Sequence, residues 1–153
     1  MPNDAFNGPD ESYRASFLER LGVRPDGEGN LVLVLGAAHL RTLGIAHGGV
    51  IATLLDSVMG MNAHKTSPSD HYLVTAQLNV HFLRPAFEGE TLVASADVRH
   101  AGRKTAMAQG ELRTSGGELV ATASATFLYV AHTEQTRAHP DRLEPITGPR
   151  PGP

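Results

Sequence analysis

His47, Gly48, Gly49 and Asp56 are the residues of this chain whose types and spacing could do chemistry. A helix that opens at Gly48-Gly49 presents about four N–H groups without intrahelical partners and a partial positive charge, so it can hold a carbonyl oxygen that is becoming an oxyanion. Glycines at that point let a substrate approach the backbone. Laid out at about 100° per residue, Val50, Ile51, Leu54, Leu55 and Val58 form one apolar stripe. The opposite arc carries Gly49, Ala52, Asp56, Gly60 and Ala63, small surface around a single carboxylate where a solvated helix would show Lys, Glu or Arg. A lone Asp on such a face reads as a placed catalytic carboxylate, a general base or a nucleophile. The structural alternative is a tight loop-to-helix turn followed by a satisfied polar residue at a packed interface.

The elements that must position these residues follow from periodicity and punctuation. Residues 1–10 are polar and rich in Asn, Asp, Gly and Pro, and read as a flexible arm. Tyr13, Phe17 and Leu21 fall at helical spacing and predict a short helix from about Glu11 to Leu21. Leu31 to Leu35 has strand composition, bounded by Gly29-Asn30 and Gly36, and residues 37–46 form the loop into the long helix. After Pro68, strand-like segments are expected at about 71–84, 90–100, 103–115 and 118–131, with Gly or Pro between them. One helix against a meander of strands is an α+β domain, here over residues 11–131. Residues 132–153 end in Pro149-Arg150-Pro151-Gly152-Pro153 and read as a flexible tail that can bury little.

The ordered set His47-Gly48-Gly49, Asp56, Gly60 and Ala63 resembles the signature of hotdog-fold thioesterases of the phenylacetic acid degradation type. The likeness continues through Val74 to Ala86, the Gly89-Glu90 turn, Ala101 to Ala106 and Gly116 to Phe127, and covers roughly residues 11–131. It implies a hotdog fold, an antiparallel sheet wrapped around a central helix, and hydrolysis of an acyl- or aryl-CoA thioester. It further implies that Gly48 N–H polarises the thioester carbonyl while Asp56, from the neighbouring subunit of a dimer, activates water or attacks directly. The acyl group would lie along the helix, against residues such as Leu54, Val58 and Met59. Relatives often pair dimers into tetramers. Thr75 falls where that family places a hydroxyl near the reacting centre, and its alternative is an ordinary strand-former. His47 could act as acid or base, but a His at a helix entry more often shapes the turn. Gly49, Arg84, Arg103 and Lys104 are candidate substrate contacts, the cations for the phosphates of coenzyme A or else simple surface charge. Arg41 departs from the family pattern, since many relatives carry Asn or Gln at that position to hold the thioester oxygen. It favours a second class of function, a non-catalytic acyl-CoA or small-molecule binding protein. A hotdog dehydratase is disfavoured, because the Asp and His pair those enzymes carry on the long helix is absent.

Composition narrows the field further. The chain has 153 residues, a formal net charge of −3 and no cysteine. One core suits that length, and the charge gives no basic footprint for nucleic acid. Without cysteine there is neither a disulfide framework nor a thiolate nucleophile. No apolar run reaches the roughly 18 residues of a membrane span, and Met1-Pro2-Asn3-Asp4 lacks the start of a signal peptide, so a cytoplasmic protein without membrane attachment is expected. The remaining histidines, at 39, 64, 71, 81, 100, 132 and 139, show no short ligand pair on one helix. No metal and no cofactor beyond the coenzyme A of the substrate are expected.

Overall fold

The computed structural model describes residues 17–132. Its elements are β1 (Arg24–Pro25), β2 (Leu31–Val34), a 3-10 turn (Ala37–His39), α1 (Gly48–His64), β3 (His71–Phe82), β4 (Thr91–Ala101), β5 (Thr105–Thr114) and β6 (Leu119–Ala131). The six strands form one antiparallel sheet in the order β1-β2-β4-β5-β6-β3, curled around α1. This is the hotdog arrangement. The four expected strands after Pro68 are present, with no end moved by more than two residues.

Alternation explains why the sheet can embrace a helix. On β5, Ala106, Ala108, Gly110, Leu112 and Thr114 point inward and are buried, while Met107, Gln109 and Glu111 face out. The inward residues are mostly small. A Cβ on Gly110 would sit 3.1 Å from Met59 Cγ and 3.3 Å from Leu55 Cδ2, so helix and strand are in direct contact there. Ile51, Leu54, Leu55, Val58, Met59, Met61 and Ala63 of α1 are buried, and Phe127, Leu112 and Leu92 close over them.

The cover expected over the small-residue arc of α1 comes in part from the chain's own sheet: Ala63 is fully buried, and a Cβ on Gly60 would meet the Phe127 ring at 3.4 Å. The curled sheet therefore covers much of the C-terminal half of the helix, while Gly49 is exposed and Ala52 and Asp56 are half-buried. Most of the expected helix over residues 11–21 lies outside the described residues, as do the arm and nearly all of the tail. Its described end is a turn. Gly22 N–H donates to Glu19 O and Val23 N–H to Leu18 O, with Gly22 at φ +74, the bonding of a Schellman helix terminus.

Candidate active site

The start of α1 is built by His47. As N-cap it has extended backbone (φ −65, ψ 133), and its Nδ1 accepts the Gly49 N–H at 2.9 Å while its carbonyl accepts the Val50 N–H. Nδ1 must therefore carry the lone pair, which assigns any ring proton to Nε2 in this arrangement. His47 shapes the turn. The same bond corrects the expectation for Gly49, because its N–H is taken and is not free for a substrate. Gly48 N–H has no partner among the described residues. One open donor thus remains at the positive end of a 17-residue helix. Gly48 also faces the Phe82 ring, which would lie 3.5 Å from a Cβ at that position.

Asp56 sits two turns further along α1, half-buried. Thr75 Oγ1 donates to its Oδ1 at 2.9 Å. The bond is made possible by a register shift on β3 between Thr75 and Gln77: Thr75 pairs with Phe127 and Gln77 with Thr126, leaving Ala76 as the extra residue. Thr75 is thereby held on the inner face of the sheet, and the second Asp56 oxygen is available to a water or an acyl carbon. Gly48 and Asp56 are not brought together. Eight residues of helix separate their backbones by about 12 Å along the axis. A single protomer holds the donor and the carboxylate apart.

The candidate cations divide. Arg84 is not free for a phosphate: its Nη2 lies 2.9 Å from Glu90 Oε1 and 3.0 Å from Glu118 Oε2, and its Nη1 is buried. The Glu90 hydrogen bond raises the Arg84 pKa, and that same bond, with the Phe87 N–H on Oε2, lowers the pKa of Glu90. Arg84 pairs with Glu90 of its own β3–β4 connection and ties that connection to Glu118 of the β5–β6 hairpin, a structural part that the sequence did not reveal because Glu118 lies on a distant segment. Arg103 and Lys104 are exposed in the turn between β4 and β5. Lys104 O accepts the Tyr129 N–H, and Tyr129 Oη meets Thr66 Oγ1 just past the end of α1. They stand at the opposite end of the helix from Gly48. Arg41 is exposed, and its backbone N–H closes a turn onto Ile45 O at 2.9 Å. Phe82 at the mouth of the helix start is the site neighbour that sequence reading missed; an aromatic ending a strand carried no signal of that contact.

Among the described residues, no group of three or more His, Asp or Glu side chains could hold a metal ion, and no helix is long and apolar enough to cross a membrane.

The sequence model of the thioesterase superfamily matches residues 43–121, the stretch containing Gly48, Asp56 and Thr75. A medium/long-chain acyl-CoA thioesterase of Escherichia coli, YigI, is 34% identical over 55% of this chain and 62% of its own length. A relative from Archaeoglobus fulgidus is likewise matched over 66% of its length, so the chain spans about two thirds of these curated relatives. Among solved structures, a Bacillus halodurans protein crystallised with CoA is 29% identical, with TM-score 0.71 over 78% of this chain and 80% of that one. The PaaI protein of the Escherichia coli phenylacetic acid degradation operon shares the fold at TM-score 0.72 and 24% identity, over 87% of this chain and 98% of that one.

Proposed function

The chain belongs to the thioesterase superfamily, and from that premise we propose that it hydrolyses an acyl-CoA thioester to the free acid and coenzyme A. The observation that carries the reading is the Thr75–Asp56 hydrogen bond, which fixes one carboxylate oxygen on a half-open surface and leaves the other to act. Asp56 takes a proton from water as it attacks the thioester carbon, or attacks that carbon itself with water resolving the acyl-enzyme. The carbonyl oxygen gains charge and is met by Gly48 N–H. The carbon–sulfur bond then breaks, and because a thiolate leaves readily no strong acid is required. Any imidazole general-base role for His47 would first cost the bond to Gly49 N–H.

Because Gly48 and Asp56 stand about 12 Å apart along one helix, the working site draws them from two chains of a homodimer. A pairing of dimers into a tetramer continues the same logic of covered faces. Arg103 and Lys104 are the cations left for the coenzyme A phosphates, with the cytoplasm as the setting and no cofactor beyond the substrate's own coenzyme A. Thiol release from a panel of acyl- and aryl-CoAs tests the reading. Turnover lost in Asp56→Asn supports it, whereas binding without thiol release across the panel selects the non-catalytic alternative that Arg41 favours.

A further inference from the structure

The acyl tunnel expected along α1 is closed within the protomer. Leu54, Val58 and Met59 are fully buried, and Met59 and Leu55 pack directly on Gly110. In the single protomer apolar surface is offered instead around the start of the helix, where Leu43 is 87% exposed, Leu83 57%, Phe82 55% and Phe87 47%, with Phe82 ending the β3 edge at which the proposed partner chain would pair. Local pairing gathers these residues. Ile45 bridges Phe87, Ala46 N–H donates to Ala86 O, and the Phe82 ring lies against Gly48.

Leu43 stands out by its backbone. It lies at the tip of the turn that Arg41 N–H closes onto Ile45 O, and at φ +80 it is the one non-glycine among the described residues with positive φ. A leucine in the left-handed region is strained, and an exposed one recovers nothing from burial in the free protein. Glycine, as in the adjoining Gly44 at φ +71, would make the same turn without strain. An apolar side chain held there against its conformational preference needs an occupant that covers it.

We propose that Leu43, Phe82, Leu83 and Phe87 form the platform for the acyl group of the thioester, and that this platform selects aliphatic chains over acetyl. The inference rests on the thioesterase reading and adds the substrate class to it. Position supports it, since a carbonyl on Gly48 N–H has the Phe82 ring as its next contact. Charge supports it as well: Glu90 and Glu118 both pair with the single cation Arg84 here, a net negative cluster that turns away the coenzyme A phosphates and leaves the apolar end of the substrate to this side. Each methylene laid on the platform should raise kcat/KM about two- to fourfold until the surface is covered.

The test compares acetyl-, octanoyl- and dodecanoyl-CoA on the full chain and on Leu43→Gly, with Phe87→Ser as the second variant. The expected result is a dodecanoyl-to-acetyl ratio of kcat/KM lowered at least about tenfold in both, an unchanged subunit number by light scattering, and a higher melting temperature for Leu43→Gly as its strain is relieved. An unchanged ratio overturns the proposal, and so does a change in subunit number, which would make the patch an interface between copies. If the wild-type chain turns over none of the three, the thioesterase reading fails by itself. Calorimetric titration then decides the platform alone: dodecanoyl-CoA binding more tightly than acetyl-CoA, with the difference lost in Leu43→Gly, supports it, and equal affinity overturns it.

Discussion

Asp56 and Thr75 lie 19 positions apart in the chain, and their hydrogen bond is the detail on which the chemistry turns. Replacing Asp56 by Asn keeps the shape and removes the base or nucleophile, so turnover should fall at least about a hundredfold with the melting temperature little changed. Thr75→Val removes the donor that orients the carboxylate, and a smaller loss of about tenfold in kcat is expected, recovered in Thr75→Ser. Steady-state thiol release on the three variants checks both. Asp56 was legible because a carboxylate amid Gly and Ala on a helix is unusual. The cap on Gly49 was not, since His carries no strong preference as an N-cap, and neither was the capture of Arg84 by Glu90 of its own loop together with Glu118 of the β5–β6 hairpin.

At the scale of elements, the packing of α1 on β5 depends on Gly110. A Cβ there would approach Met59 at 3.1 Å, so Gly110→Val overpacks the core and should destabilise by about 1–3 kcal/mol in urea denaturation. The Arg84–Glu90 pair adds a pH dependence. Glu90 has a folded pKa below its ordinary value, so the unfolded chain binds its proton first as pH falls. Its contribution is complete above the ordinary carboxylate range and is lost as pH drops through the lowered value. Glu90→Gln should therefore be less stable than wild type by about 1 kcal/mol at neutral pH, with the gap closing in acid in thermal melts. Period-two alternation made β4 to β6 readable, and the apolar stripe made α1 readable. The two-residue β1 and the 3-10 turn were not, being too short to carry a period. Neither was the sealing of Leu54, Val58 and Met59, which depends on how tightly distant small residues let the sheet close.

For the whole molecule, the open edge of the sheet matters most. β3 ends the strand order and offers twelve residues without Pro, Lys or any other formal charge besides its histidines, an edge with no device against pairing. If two copies pair through this edge, as the proposed homodimer requires, a two-fold axis at Asn79 would set Leu78 of one chain opposite Val80 of the other on the inner face, and Gln77 opposite His81 on the outer. It would also set Phe82, which lies on Gly48, opposite the bulge that holds Thr75 beside Asp56. The chain has no cysteine, so Asn79→Cys should form a disulfide-linked dimer on mild oxidation with no competing thiol. Cross-linking by Leu78→Cys or Val80→Cys in its place would shift the axis.

The central claim is that one site is made from two chains, with Gly48 from one and Asp56 from the other. A Cβ at Gly48 finds only ordinary contact with Phe82, so Gly48→Val should fold and lose turnover by crowding the carbonyl position. Mixing Gly48→Val with Asp56→Asn, each inactive alone, is the direct measurement. Random reassociation should restore thiol release to about a quarter of the wild-type rate, because half the dimers are mixed and each holds one intact site. Verified heterodimers with no recovered activity, or a fully active monomer, would contradict the shared site.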